Sequence, residues 1–459
     1  MSAFPPVFAN ERFAVVGLGR NGLPVARALT AMGAEVLAWD DSEAARRVAR
    51  GAGIPLRDPL ESGMDVAALV LSPGIPHRLP APHPAATAAL AAGVPILSDA
   101  DLLFRAVRAA GSKARFAGIT GTNGKSTTTA LLAHILQGHG IPAPAGANLG
   151  TPALALPLLP DRGVYVLEMS SYMLERLAAL RFDVAAMLNI SPDHLDRHGD
   201  MAGYVAAKRA IFDRQGPDDL AVVGIDDALT AATASALRTQ RVLRVSGSRP
   251  ADVWCEAGTL RDASGAILPM SEAPALPGTH NAQNAAAAAA MAAALGVPRA
   301  AVARGIASYP GLPHRQERIA RIGDVLFVND SKATNADAAA CALACYDRVV
   351  WIAGGMAKEG GIESLAPLFP RIAAALLIGR DAPLLAQTLA AHGVPHELVG
   401  TLERALPLAW ERAHALGATV LLAPACASFD QFSGFDERGD RFRELVLGMA
   451  AAVTTAGSA

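Results

Sequence analysis

At 459 residues the chain exceeds what one ordinary hydrophobic core organises, and usual domain sizes predict about three domains. Its composition is globular, 52% hydrophobic and 18% charged, and a net charge of -2 gives no field that would favour nucleic acid or an anionic membrane as partner. Much of the hydrophobicity is alanine; the longest such run, Ala285 to Leu295, is shorter than the ~20 residues of a bilayer span and predicts a buried helix. The start, Met1-Ser2-Ala3-Phe4-Pro5-Pro6, lacks the basic residues and apolar core of a secretory signal, so a cytoplasmic location is expected. Cys255, Cys341, Cys345 and Cys426 are too scattered for a disulfide framework or a zinc site, and free thiols are expected.

In chain order, Phe13 to Val16 predicts a buried strand, followed by Gly17-Leu18-Gly19-Arg20-Asn21-Gly22 and an amphipathic run through Met32. This G-x-G-x-x-G lies between strand and helix, and the next strand, from Glu35, ends in Asp40 about 20 residues on, where a dinucleotide fold places its ribose contact. On these residues alone NAD is the favoured ligand; the alternative is that the glycines only permit close helix–strand packing. A third strand, Ala67 to Leu71, ends in Ser72-Pro73-Gly74-Ile75, a turn at the sheet edge where open α/β folds bind ligands. Residues 1–105 are therefore expected to form a Rossmann-like domain holding a phosphate-bearing ligand.

The stretch Gly118-Ile119-Thr120-Gly121-Thr122-Asn123-Gly124-Lys125-Ser126-Thr127 is the strongest chemical signal. A strand end, a glycine loop and a helix start let successive N–H groups converge on an anion, with Lys125 as a point charge for outer phosphates and Ser126 or Thr127 as a hydroxyl for Mg²⁺. Ile119 stands where the strict P-loop has its first glycine, so this is a variant of that loop. It predicts ATP or GTP binding.

Val164 to Glu168 reads as a strand ending in the carboxylate that P-loop folds place on the metal side. Another strand, Ala185 to Ile190, delivers Ser191-Pro192-Asp193-His194 at its end, which gives His194 weight and leaves His198 unassigned. Lys208 lies on a predicted helix, where a lysine reads as a solvated charge. Asn281 and Asn284, at i and i+3, share one face of the alanine-rich helix; Asn281 also suits its N-cap. Pro310 to Arg315 breaks the pattern as a linker, giving a central domain of 106–311 with a mostly parallel sheet and a C-terminal α/β domain of 312–459. There three strands end in polar clusters, Asp330 to Asn335, Gly354 to Lys358 and Leu422 to Asp430, which together read as a binding edge.

With these residues assembled, the chain resembles the Mur ligase family along nearly its whole length. The resemblance rests on Gly121 to Ser126, Glu168-Met169-Ser170-Ser171, Asp193-His194-Leu195-Asp196-Arg197, His280 to Asn284, Leu312-Pro313-His314-Arg315 and Asn329 to Asn335. Pro424-Ala425-Cys426-Ala427 followed by Ser428-Phe429-Asp430 is similar to the branch that adds D-glutamate, whereas Ser98-Asp99-Ala100-Asp101 departs from the family pattern. The resemblance implies three α/β domains: a Rossmann-like domain for the UDP substrate, a central P-loop ATPase-like domain, and a C-terminal Rossmann-like domain for the amino acid. It implies that ATP phosphorylates the carboxylate of UDP-N-acetylmuramoyl-L-alanine and that the amine of D-glutamate then forms the amide, with Lys125, His194 and Lys208 catalytic.

By the same resemblance, Gly121, Thr122, Asn123, Gly124, Lys125, Ser126, Thr127, Asn281, Asn284, Arg315, Asp330 and Lys332 serve ATP. Gly19, Arg20, Asn21, Asp40, Ser72, Asn148 and Ser170 serve the UDP substrate, and Thr334, Lys358, Ser428 and Phe435 serve D-glutamate. Ser126, Glu168, His194 and Lys208 hold two Mg²⁺ ions, Lys208 as its carbamate. No nucleic acid or membrane partner is implied, and a monomer is expected. Two other readings stay open on the residues: an NAD-dependent oxidoreductase, and a P-loop switch or ATP-driven binding module.

Overall fold

Three β-sheets organise the computed structural model, which describes residues 3–358 and 360–456. The first has four parallel strands in the order Glu35–Trp39, Arg12–Val16, Ala68–Leu71, Ile96–Leu97. Its strands are short runs of buried apolar residues, as a sheet covered by helices on its faces requires. Asp40 and Ser72 follow directly on two of them, so both stand at the carboxyl edge.

The second sheet has nine strands. Its parallel part places Arg115–Thr120 between Val184–Met187 and Val164–Glu168, which sets the phosphate loop, Glu168 and the 188–194 segment at one edge. Beyond Arg241–Ser246 the sheet turns antiparallel through Val253–Glu256, Thr259–Asp262 and Gly265–Pro269. This extension carries none of the predicted site residues. The third sheet runs Glu317–Ile322, Val325–Asn329, Thr419–Leu422, Val349–Gly354, Ile372–Ile378, His396–Gly400, parallel except for its first pair. The α/β class expected from the sequence is the class observed.

Two compact units result. One comprises the chain through Glu272 together with Asn281–Ser308, and holds the first two sheets; the other comprises Ala273–His280 and the chain from Tyr309, and holds the third. Within the first unit, Ser98 caps the helix Asp99–Ala109, and buried Asp101 accepts three successive backbone N–H groups, Ala178, Ala179 and Leu180, at 2.7–2.9 Å. The tetrapeptide that departs from the family pattern is thus used to fasten this helix to the loop ahead of Val184–Met187.

The alanine run is a helix, Thr279–Ala294, with Ala285 to Ala292 buried. Small side chains let neighbouring elements pack close, which is why a run this apolar needs no membrane; no helix among the described residues is long and apolar enough to cross one. The helix begins at Thr279, so the N-cap reading of Asn281 is corrected: Asn281 sits inside the first turn. All four cysteines are free thiols.

Candidate active site

The phosphate loop is shaped by its neighbours as much as by its glycines. Asn123 N–H donates to Asn189 Oδ1 at 2.8 Å and Asn189 Nδ2 returns to Asn123 O at 3.1 Å, while Thr122 N–H donates to Asn189 O at 2.9 Å. Thr122 Oγ1 also contacts Tyr204 Oη and Ser191 O, both at 3.2 Å. Gly124 then takes φ 84°, and a Cβ there would stand 2.2 Å from Asn284 Oδ1. Only glycine serves both needs: the left-handed turn that starts the helix Lys125–Gly138 and the close approach of Asn284. Asn284 Nδ2 donates to Asn281 Oδ1 at 3.0 Å, so the two amides predicted to share a face act as a pair against the loop.

Two lysines converge on one carbonyl. Lys125 Nζ donates to Gly121 O at 2.8 Å and to Thr122 O at 2.7 Å, and Lys208 Nζ donates to Gly121 O at 2.8 Å. Lys208 is 2% exposed, which corrects its reading as a solvated helix charge. The helix Met201–Arg209 turns it inward, with its ammonium 4.6 Å from the Tyr204 ring centroid. Burial drives its pKa well below the usual lysine range, helped by the Lys125 cation and opposed by Asp193 and Glu168.

Glu168 ends its strand 2% exposed. Asn148 Nδ2 donates to its Oε1 at 2.6 Å, whereas its Oε2 is buried with no hydrogen-bond partner among the described residues. A buried carboxylate oxygen left so is costly unless something cationic completes it. Ser126, on the first turn of the helix, is also buried. An oxygen donor set of this kind, hydroxyl plus carboxylate beside a phosphate loop, fits Mg²⁺. His194 is held at φ 53°, a conformation rare for a side-chain-bearing residue, with its Nε2 3.4 Å from Asp193 Oδ2 and its ring 5.2 Å from that of Tyr172. Among the described residues no three His, Cys, Asp or Glu side chains cluster as a metal cage.

At the carboxyl edge of the first sheet lies a cavity of about 560 Å³ lined by Gly19, Arg20, Asn21, Asp40 and Ser72. Gly22 makes the turn possible: a Cβ there would lie 1.8 Å from Gly17 O. Asp40 spends both oxygens on backbone, accepting Leu18 N–H at 2.5 Å and Ser42 N–H at 2.8 Å, so it closes the glycine turn as well as lining the cavity. Ser72 Oγ donates to Gly17 O at 2.7 Å. Asn148 and Ser170, grouped with these residues in the sequence reading, lie instead at the edge of the second sheet; Ser170 caps the short helix Ser171–Leu174.

In the second unit, Asp330 accepts from Gln316 Nε2 at 2.6 Å and is buried. Burial raises its carboxyl to about 6 against that hydrogen bond. Lys332 Nζ stands 3.8 Å from the Phe435 ring centroid, joining an expected ATP residue to an expected D-glutamate residue. Thr334 N–H donates to Lys332 O at 2.8 Å. Arg315 lies in a bend flanked by His314 and Gln316, both with positive φ. Lys358 lines a smaller cavity of about 290 Å³ with Gly360, Ile362 and Thr388, and Ser428 is buried where Ala427 pairs with Met356.

Sequence reasoning missed two buried arginines. Arg176 is 3% exposed and donates to Leu71 O at 3.0 Å, Ile75 O at 2.6 Å and His77 Nδ1 at 3.3 Å, bracing the Ser72 turn. Arg438 is 1% exposed in the second unit. An arginine has no sequence mark of burial, because its partners here are mostly backbone carbonyls of distant segments and not carboxylates with a recognisable spacing. Asn189 was legible only as a strand end for the same reason.

Residues 119–292 match the family model described as the Mur ligase middle domain. The chain is 50% identical over 449 residues to the UDP-N-acetylmuramoylalanine--D-glutamate ligase of Paramagnetospirillum magneticum, covering 96% of this chain and 97% of that one. It is also 50% identical over 463 residues to the protein of the same name from Rhodospirillum rubrum, covering 96% of each. Among solved structures, the UDP-N-acetylmuramate-alanine ligase MurC of Thermotoga maritima has a TM-score of 0.61 at 18% identity, covering 96% of this chain and 100% of that one, a likeness of fold.

Proposed function

The chain belongs to the Mur ligase family, and from that premise we propose that it joins D-glutamate to UDP-N-acetylmuramoyl-L-alanine at the expense of ATP, through an acyl phosphate. A carboxylate is a poor acyl donor at neutral pH. Transfer of the terminal phosphoryl group to it splits one hard step into two feasible ones, and the amine of D-glutamate then attacks the carbonyl carbon and expels phosphate.

The observation that carries this reading is the convergence of Lys125 and Lys208 on Gly121 O beside a buried, half-satisfied Glu168. In-line meeting of two anions needs fixed positive charge, and the loop supplies it from backbone N–H groups, the helix start and Lys125. Ser126 and Glu168 would hold one Mg²⁺, and His194 with a carbamate on Lys208 a second; bound there, the ions neutralise phosphate charge. Carbamylation starts from the deprotonated lysine that burial favours: the ammonium gives up one proton, the neutral amine adds to CO₂ and loses a second to solvent, and the side chain passes from cation to anion. Gly121 to Thr127, Asn281, Asn284, Arg315, Asp330 and Lys332 serve ATP, as the resemblance to the family implies. Thr334, Lys358, Ser428 and Phe435 serve D-glutamate. Gly19, Arg20, Asn21, Asp40 and Ser72 receive the UDP moiety, with Asn148 and Ser170 on the acyl end.

An oxidoreductase would use the first glycine turn and Asp40 but would leave the second phosphate loop and the buried Glu168 without a function. Incubation with both substrates and ATP, measuring phosphate release, against NAD and nicotinamide absorbance, separates the readings. Phosphate release that requires D-glutamate is expected; nicotinamide turnover without it would refute the ligase.

A further inference from the structure

The three polar loops of the second unit are tied together from below by one side chain. Arg438 sits on the first turns of the helix Phe435–Ala456, 1% exposed. Its Nε donates to Ser331 Oγ at 3.0 Å, its Nη2 to Ser331 O at 2.9 Å and to Cys426 O at 3.1 Å, and its Nη1 to Gly354 O at 3.5 Å. Ser331 lies between Asp330 and Lys332, Gly354 opens the loop to Lys358, and Cys426 precedes Ser428. The four acceptors therefore lie on three residues of three different loops, at the carboxyl ends of Val325–Asn329, Val349–Gly354 and Thr419–Leu422. Ser331 Oγ in turn donates to Phe435 O at 2.7 Å, which fixes the helix start that carries Phe435.

Burying a guanidinium against one hydroxyl and three carbonyls is an expensive way to gain stability, since an apolar side chain of similar volume avoids the desolvation of the charge. What the planar fork gives is geometry: donors in fixed directions that hold separate backbone segments at fixed distances. We propose that Arg438 is a positioning residue, setting the Asp330–Thr334, Gly354–Lys358 and Cys426–Ser428 loops in mutual register for ATP and D-glutamate. The inference rests on the ligase reading above.

The test is steady-state kinetics of Arg438→Lys, whose single ammonium cannot reach three loops in fork geometry. The KM for D-glutamate and for ATP should each rise tenfold or more, while the Kd for UDP-N-acetylmuramoyl-L-alanine stays within twofold and the unfolding midpoint within a few degrees. Guanidinium at millimolar concentration should restore part of the lost KM in Arg438→Ala and none in Lys358→Ala. Unchanged KM values in Arg438→Lys, or a loss of activity that follows only the folded fraction, would overturn the proposal. If Arg438→Lys does not fold, Arg438→Gln carries the same readout, and failure of both to fold would assign Arg438 to stability alone. Parent protein without D-glutamate-dependent phosphate release would instead refute the ligase reading and leave this one unrelated to it.

Discussion

Lys125 and Lys208 donate to the same carbonyl oxygen, that of Gly121, each at 2.8 Å. Two ammonium groups on one acceptor repel, and burial penalises the charge of Lys208 first, so its amine is the one whose proton is readily lost. The neutral amine is the form that adds to CO₂, and the anionic carbamate proposed above would need a cation between it and the buried Glu168 carboxylate.

Replacing Lys208 by alanine should lower turnover about a hundredfold or more, in the range of a lost electrostatic group at a reacting centre. Acetate or formate should restore part of it by supplying the missing carboxylate. Activity of the parent should also fall when bicarbonate is removed and recover when it is returned. Assays with and without these anions decide it: full activity of Lys208→Ala in their absence would return the residue to a packing function.

Lys125→Ala should cost about 10²–10³ in kcat, or ~3–4 kcal/mol of transition-state stabilisation, because its charge lies beside the outer phosphates. The fold should survive, since Lys125 Nζ donates to two carbonyls of its own loop, Gly121 O and Thr122 O. A variant within a few-fold of the parent would mean that the loop is structural.

Much of this site was legible in the sequence, for a physical reason. The glycine loop, Glu168 and the Asp330 to Thr334 cluster follow directly on apolar strands, so periodicity alone sets them at sheet edges. Residues placed by tertiary contacts were not legible. Lys208 looks like any lysine on a short helix until Tyr204 and the Gly121 carbonyl enclose it. Arg438 and Arg176 bond to carbonyls of distant segments, which no local pattern announces. Asn281 shows the opposite failure: a residue type that favours N-caps stands inside the turn, because Thr279 and His280 extend the helix.

Gly124→Ala tests the loop geometry without touching a charge. The new Cβ would meet Asn284 Oδ1 at 2.2 Å and force φ 84° on a residue that resists it, a strain of about 1–3 kcal/mol. Calorimetry should find a lower unfolding midpoint and ATP affinity reduced at least tenfold. Unchanged nucleotide affinity would detach Asn284 and Gly124 from the ATP site.

His77 predicts an acid-sensitive stability. Burial, with Arg176 beside it, lowers its pKa from 6.5 to about 4. Below pH 6.5 the unfolded chain takes up a proton that the folded chain refuses, so stability present above that pH is lost as the pH falls from 6.5 toward 4. His280, lowered by burial to about 4, adds in the same direction. His77→Gln should flatten the fall in unfolding midpoint across this window, and an unaltered slope would show that His77 is not its source.

The acyl phosphate is tested most directly by isotope. UDP-N-acetylmuramoyl-L-alanine labelled with ¹⁸O in its carboxylate is incubated with ATP and D-glutamate, and the released phosphate is examined by mass spectrometry. If the carboxylate is phosphorylated before the amine attacks, one labelled oxygen leaves on each phosphate. Phosphate released without ¹⁸O, alongside amide product, would contradict activation through an acyl phosphate.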